Sequence, residues 1–148
     1  MKDSWSIAML ISGALFAAGI IPVAWERAPA WRTADPATFR AEFAYTLRRM
    51  DQLQPALLLA CLATTIGFAV TAHGTARTLA ALAAACPAAI LAGSIAGLVP
   101  IQRQLTSPGS DLSATDIERL RTRWLGGHLI RTLVTLAGFV LLVTATVA

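Results

Sequence analysis

Charged side chains are missing from four long stretches of this 148-residue chain, namely 4–25, 52–76, 78–102 and 132–148. Only 14% of the residues are charged and 56% are hydrophobic, which excludes an ordinary soluble domain of this size. Each stretch is close to the roughly 20 residues that an α-helix needs to cross a hydrocarbon layer. The sequence therefore predicts a single integral membrane domain, residues 1–148, with spans at about 5–25, 53–72, 78–100 and 125–147.

Motifs for cofactors and metals are equally scarce. The two cysteines, Cys61 and Cys86, lie inside predicted spans without metal-motif spacing, so we interpret them as small core residues. The sequence contains no glycine-rich phosphate loop, no dinucleotide fingerprint and no haem attachment motif. The net charge of +4 does not indicate a nucleic-acid partner, because no nucleic-acid-binding module accompanies it.

The basic residues are distributed unequally between the connections. Nine of them lie in the first and third connections, whereas only Lys2 and Arg77 lie on the other side. This bias predicts that the first and third connections are cytoplasmic and both termini are outside, in a bacterial inner membrane. A cleaved secretory signal is a second interpretation of the N-terminal segment, but its apolar run is longer than the usual core of about 7 to 15 residues.

Each cytoplasmic connection contains an amphipathic helical pattern. Asp35 and Pro36 form a helix start signal. The hydrophobic residues that follow recur every three or four positions and are Phe39, Phe43, Leu47 and Met50. In the third connection Ser113 opens a capping box, and one helical face then carries Ile117, Leu120, Trp124, His128 and Arg131. We therefore predict an all-α fold, an antiparallel bundle of four transmembrane helices with short amphipathic helices in the two cytoplasmic loops, and His128 and Arg131 facing inward.

Glycines and prolines predict how the helices pack and bend. Residues 93–97 form a small-xxx-small pattern, which we interpret as a tight helix contact without a specific partner. Four prolines should bend or end their helices, namely Pro22, Pro55, Pro87 and Pro100. All but Pro87 lie near the cytoplasmic face, so we expect a cavity on that side.

Ionisable and amide side chains gather at the cytoplasmic ends of the spans. The candidates for a site are Glu26, Asp51, Gln54, Gln102, Arg103, His128 and Arg131. Polar residues that face the interior near helix ends commonly serve a functional site. We expect Glu26, Arg103, His128 and Arg131 to line one cavity. The other basic residues here are interpreted as headgroup contacts or surface pairs, and they are Arg27, Arg48, Arg49 and Arg119.

A metal centre is the competing interpretation of this cluster. His128 could join Glu26 or Asp51 as a ligand. The second histidine, His73, lies in the loop on the opposite face, so a site with two histidines and one carboxylate cannot be assembled within one chain. We therefore expect no bound metal.

Two motifs in the second half of the chain resemble the anthrone oxygenase-like family, small four-span membrane proteins formerly classed as a domain of unknown function. They are "VPIQRQL" at 99–105 and "RWLGGHLIRTLVTLAGFVLL" at 123–142, with looser support from "WERAPAW" and "DQLQPAL". The family pattern there is a proline followed by small polar or basic residues, and later a tryptophan, a histidine or asparagine, and an arginine. The matching positions in this chain are Pro100, Gln102, Arg103, Trp124, His128 and Arg131, and Gln102 stands where many relatives have asparagine.

The resemblance implies a membrane-embedded oxygenase that uses O2 to oxidise a lipophilic, polycyclic anthrone of polyketide type, without a flavin or metal. In that mechanism His128 would be the general base and Arg131 would stabilise the oxyanion, with Glu26 as the next acid–base candidate. Trp124 would offer a surface for an aromatic ring. The remaining substrate-binding candidates are Asp51, Gln54, Gln102 and Arg103.

Two other classes of function stay open. A small transporter would use the polar cluster as a relay, although it should carry polar residues deep in its spans, where only serine and threonine occur. A non-enzymatic assembly partner would use its small-residue faces to bind other membrane helices, including those of a second copy of the chain.

Cysteine labelling tests the predicted orientation. In a chain whose native cysteines are replaced by serine, a cysteine near His73 should react with a membrane-impermeant maleimide added outside, because the basic bias places that loop there. A cysteine near Arg121 should be protected. Labelling near Arg121 with protection near His73 would show that the orientation is the reverse of the one predicted.

Overall fold

Four long helices dominate the computed structural model, which describes residues 2–50 and 53–148. They run over Ser4–Thr33, Gln54–Thr71, Gly74–Thr106 and Ala114–Val147. Each is long and apolar enough to cross a membrane. The predicted all-α fold with four membrane-spanning helices is confirmed, and the chain is an integral membrane protein.

The first and third long helices each contain a short π-helical segment, and one further helix lies between the first and second long helices. The order is α1 (Lys2–Pro22), a π-helical segment (Val23–Arg27), α2 (Ala28–Thr33), α3 (Pro36–Met50), α4 (Gln54–Thr71), α5 (Gly74–Gly93), a second π-helical segment (Ser94–Leu98), α6 (Val99–Thr106) and α7 (Ala114–Val147). α1 and α2 are therefore continuous through the first π segment, as α5 and α6 are through the second.

Both π segments are followed, after one residue, by a proline. Pro29 is the second residue of α2, and Pro100 is the second residue of α6. The residue before each proline donates its backbone N–H to the carbonyl five residues earlier, which closes the π turn. Proline has no N–H for the usual helical ladder, and the wider turn changes the register just before it. The two halves of the chain thus share a local structure that no sequence repeat indicates.

The prolines that we predicted to bend or end helices behave differently from one another. Pro22 is the last residue of α1, and Pro55 lies in the first turn of α4. Pro87 lies inside α5, which continues past it to Gly93. Pro22 and Pro87 therefore do not end their long helices, which continue to Thr33 and Thr106, whereas Pro55 and Pro100 each lie at the start of a helical segment.

The membrane-crossing helices form an up-and-down bundle. α1 packs against α4 and α7, and α5 packs against the same two helices. The turn from α4 to α5 is tight and contains Gly74 with φ of 57°, a left-handed conformation that glycine adopts without a steric penalty. Consecutive long helices therefore run in opposite directions.

A second hydrophobic core extends the bundle at one end. Gly74–Thr106 has 33 residues, so at about 1.5 Å per residue it is about 50 Å long and exceeds a hydrocarbon layer of about 30 Å. Beyond the bundle, α2, α3, α6 and the start of α7 enclose a cluster centred on the rings of Trp31, Phe39, Phe43 and Trp124. Leu47 packs against this cluster, so the predicted inner face of α3 is confirmed up to that residue.

Both predicted helix starts are present. The Asp35 carboxylate accepts hydrogen bonds from the backbone N–H groups of Ala37 (3.1 Å) and Thr38 (3.0 Å). The Ser113 hydroxyl accepts one from the N–H of Asp116 at 3.1 Å. α7 then runs without interruption to Val147. The amphipathic helix expected in the third connection is therefore the first part of α7, because no proline separates it from the span and the helix continues through Gly126 and Gly127.

Close helix contacts occur at glycines other than the predicted pair. A Cβ atom added at Gly93 or Gly97 would meet no described atom within 4 Å. At Gly67 it would lie 2.6 Å from the Trp5 ring, and at Gly138 it would lie 2.9 Å from Cys86 Cβ. Our interpretation of residues 93–97 as a tight contact is therefore wrong within this chain.

Two arginines join the segments of the second core. Arg121 is only 5% exposed, donates to the carbonyl of Ala34 at 2.6 Å and pairs with Glu118. Arg40 donates to the carbonyl of Leu105 near the end of α6 at 2.8 Å and to the carbonyls of Ser107 and Ser110 in the loop that follows. Because Arg121 is buried, the exposed Arg119 is the better position for the labelling experiment.

Candidate functional site

The imidazole of His128 is enclosed within the bundle, 1% exposed. One turn before it, the Trp124 ring stacks on the imidazole, with centroids 4.9 Å apart and planes 10° apart. Close to one turn after it, Arg131 Nη2 lies 2.9 Å from His128 Nδ1. The spacing of these three residues on α7 therefore fixes both the plane of the ring and the partner of one nitrogen.

The contact with Arg131 determines where the proton on His128 lies. A guanidinium can only donate, so Nδ1 must accept, and a neutral ring then carries its proton on Nε2. Nε2 is buried and makes no well-formed hydrogen bond to a described residue, and the Ile20 backbone carbonyl is the acceptor near the ring. A buried N–H without a partner is uncommon, and it offers a hydrogen bond to a small guest molecule.

Trp124 does not offer the free aromatic surface that we expected. It is 2% exposed, with one face against His128. Phe43 and Trp31 meet it edge-on, at centroid distances of 4.8 Å and 5.9 Å. Apart from the small cavity that it lines with His128, its surroundings are occupied by other rings, so this tryptophan orients the histidine and leaves no face for a substrate ring.

A small polar cavity adjoins the histidine. Its volume is about 30 Å³, and its lining includes Gln54, Gln102, His128 and Arg131. Gln54 Oε1 is buried there without a hydrogen-bond partner in the described chain. At roughly 10–15 Å³ for each water-sized probe, the cavity has room for about two or three waters or one O2 molecule, and not for an aromatic ring.

The structure brings only some of the predicted site residues together. Gln54 and Gln102 join the His128–Arg131 pair, whereas Arg103 lines an outer groove that also contains Gln102. Glu26 is absent from the lining of both, and its 70% exposed side chain lies 3.9 Å from Arg27. The expected cavity shared with Glu26 and Arg103 is therefore not formed. Asp51 lies outside the described residues.

A larger cleft lies on the other side of Arg131. It has a volume of about 360 Å³ and separates α5, the second π segment and α6 from α7. Gly93, Gly97 and Gly127 line it together with apolar side chains, and Arg123 and Arg131 contribute its charges. Arg131 is thus the residue shared by the small polar cavity and the large apolar cleft.

Sequence reasoning missed several residues of the polar cavity, among them Gly19, Trp31 and Thr46. A Cβ atom at Gly19 would lie 1.8 Å from Gln54 Nε2, so only glycine leaves room for that amide. A lone glycine in an apolar span gives no sequence signal of this kind, because its significance depends on the side chain of another helix.

Metal-ligating side chains are dispersed in the described parts of the chain. Residues 2–50 and 53–148 contain no group of three or more His, Cys, Asp or Glu side chains placed to bind one ion. His73 precedes α5 at the turn from α4, away from His128. Both cysteines are free thiols.

Fold and site together define a four-helix integral membrane protein in which a buried histidine contacts a half-buried arginine between a polar cavity and an apolar cleft. The sequence model of the anthrone oxygenase family matches residues 43–141, and the chain belongs to this family. Membership indicates an oxygenase-like function. The matched range includes the His128–Arg131 pair and excludes Glu26. No curated protein and no solved structure matches the chain significantly.

Replacing Gly19 by alanine should displace Gln54 from the polar cavity. We expect Gly19→Ala to lower the free energy of unfolding in detergent by about 1–3 kcal/mol, the usual cost of overpacking. Gln54→Ala should remove most of this cost in the double variant, because the clash is with that side chain. Gly126→Ala is the control, since no described atom lies within 4 Å of its added methyl group. Additive effects of the two changes would contradict the assignment.

Proposed function

We propose that this protein is an oxygenase for a flat, lipophilic carbon acid of the anthrone type, with O2 as co-substrate and no bound cofactor. The observation that carries the proposal is the contact between the buried His128 and the half-buried Arg131, in which Arg131 Nη2 lies 2.9 Å from Nδ1. A proton acceptor beside a permanent cation suits the formation of an enolate from a ketone. Family membership supports the class of reaction.

The reaction requires one proton acceptor and stabilisation of one oxyanion. Loss of a benzylic proton converts the anthrone to an enolate. The enolate transfers electrons to O2 and bonds to it at the same carbon, and protonation gives a hydroperoxide. Loss of the second hydrogen from that carbon, with cleavage of the O–O bond, releases water and leaves the quinone. The sum is anthrone plus O2 to anthraquinone plus water.

Arg131 would control whether His128 can accept the proton. At rest the arginine donates to Nδ1, so the only basic lone pair of the ring is occupied. A substrate oxygen that attracts the guanidinium would release Nδ1, and the freed nitrogen could then take the proton directly or through one water. The developing enolate would keep Arg131 engaged, because opposite charges attract strongly in a site of low dielectric constant.

The polar cavity suits the smaller reactants. Its volume of about 30 Å³ accommodates O2 or a water beside the ring, and Gln54 and Gln102 supply polar walls. Nε2–H, which makes no well-formed hydrogen bond in the described chain, could donate to a peroxide oxygen as negative charge develops there. Trp124 would keep the ring in place during these steps.

The hydrogen bonds of the buried hydroxyl groups do not support the transporter hypothesis. In the bundle one contact between hydroxyls on different helices joins Ser12 to Thr64. The hydroxyls of Thr65, Thr132 and Thr135 each donate to a backbone carbonyl of their own helix, at 2.6, 2.9 and 2.8 Å. Side chains bonded in this way satisfy helix carbonyls and do not form a relay for a solute. A structural role for the polar pair remains the alternative.

Histidine variants separate the roles of base and donor. Purified His128→Ala and His128→Gln should both lose about 100- to 10,000-fold of their turnover of anthrone, measured by O2 consumption and quinone absorbance. Glutamine can accept from Arg131 and donate an N–H, but it cannot take up a proton. His73→Gln is the matched control and should keep wild-type activity, because His73 precedes α5 at the turn from α4.

Other outcomes would change the assignment. Arg131→Lys should also lose most activity, because lysine lacks the planar, multi-donor group. If His128→Gln is active and His128→Ala is not, the histidine acts as a donor. A well-folded, fully active His128→Ala would remove this residue from the mechanism and leave Glu26 as the next candidate. Thermal unfolding in detergent checks the folding of each variant.

A further inference from the structure

The cleft beside α7 has the dimensions of a ligand site. Its volume of about 360 Å³ lies within the range of about 300–1,000 Å³ that is usual for small-molecule pockets. Gly93 and Gly97 lie on one wall, and a Cβ atom added at either would meet no described atom within 4 Å. On the other wall Gly127 is covered by Leu98, whose Cδ2 would lie 2.7 Å from an added Cβ. Where a wall consists of backbone, a rigid planar molecule can lie close to it, so the shape favours a flat ligand.

The walls of the cleft combine apolar contact with positive charge. Ile90, Leu98, Ile101 and Val134 supply the apolar surface. Arg123 and Arg131 lie two turns apart on α7, about 12 Å along its axis, and no acidic residue of the described chain lines the cleft. A ligand that carries a carbonyl or anionic oxygen is therefore complementary to it.

The cleft is also joined to the site described above. Arg131 lines the cleft and donates to His128 Nδ1, so an oxygen bound in the cleft competes with the histidine for the same guanidinium. The second π segment, Ser94–Leu98, forms part of the opposite wall. Such π segments occur frequently at functional sites because they widen a helix locally.

We infer that the cleft between α5–α6 and α7 binds a flat, tricyclic aromatic molecule with one carbonyl or anionic oxygen directed at Arg131, and that Gly93 and Gly97 determine its maximum size. The inference rests on the proposed function for the identity of the physiological ligand. It differs from that proposal in assigning the place of binding, which turnover alone does not test.

A fluorescent, non-oxidisable probe tests the assignment by direct binding. Anthracene-9-carboxylate is titrated against the purified full-length protein in detergent micelles, and its anisotropy gives Kd. Gly93→Leu places a side chain in the cleft and should raise Kd at least about tenfold, since even small changes of fit in an apolar pocket have effects of this size. Gly97→Leu is a second obstruction at an independent position.

Two controls separate binding in the cleft from partition into micelles. Gly126→Leu adds the same side chain on α7, in open space outside the cleft lining, and should leave Kd within about twofold of wild type. Arg131→Met should weaken binding of anthracene-9-carboxylate more than binding of the neutral 9-anthracenemethanol, because only the former carries a charge for the guanidinium. Thermal unfolding shows which variants are folded.

The outcomes distinguish the two proposals. If folded Gly93→Leu or Gly97→Leu binds the probe as tightly as wild type, the cleft is not the site of the probe and the inference fails. A cleft that is filled by a lipid chain would give this result. If these variants lose binding but the wild type does not oxidise anthrone, the cleft assignment stands and the proposed oxygenase function fails. Loss of both binding and turnover in the two variants, with Gly126→Leu unaffected, supports both.

Discussion

The hydrogen bond from Arg131 to His128 is the interaction on which this site depends. It places a permanent cation against the lone pair of an enclosed imidazole, at 2.9 Å, and so assigns the remaining ring proton to Nε2. It also leaves the guanidinium at the boundary between the polar cavity and the apolar cleft. One side chain can therefore respond to a ligand on one side and alter the basicity of the histidine on the other.

The aromatic core outside the bundle holds this pair in position. Trp124 stacks on His128 while Trp31 and Phe43 close around its edges, so the orientation of the imidazole depends on α2 and α3 as well as α7. Arg121 links the start of α7 to the end of α2 through the carbonyl of Ala34. The second core at the end of the bundle thus contributes rigidity to the site beside it.

The sequence predicted those features that depend on local pattern. Charge-free stretches predicted the four spans, and the steps of three and four residues along α7 placed His128 on an inward face, where it is 1% exposed. Features that depend on contacts between helices were not predictable. Glu26 was expected at the same end of the bundle as His128, yet its exposed side chain lies beside Arg27 and outside the site. Gly93 borders a cleft, although its sequence pattern predicted a close contact between helices. The site includes Gly19 because of Gln54 on another helix, a relation that no single segment contains.

The protonation of His128 tests the central claim most directly. The chain has only two histidines, so nitrogen-15 NMR of histidine-labelled protein at neutral pH gives two ring systems, and a His73→Gln variant assigns them. We predict a neutral His128 ring with an unprotonated Nδ1 and a proton on Nε2, and we predict that Arg131→Met changes the Nδ1 shift. A proton on Nδ1, or on both nitrogens, would contradict the account, because Arg131 could not then donate to this ring.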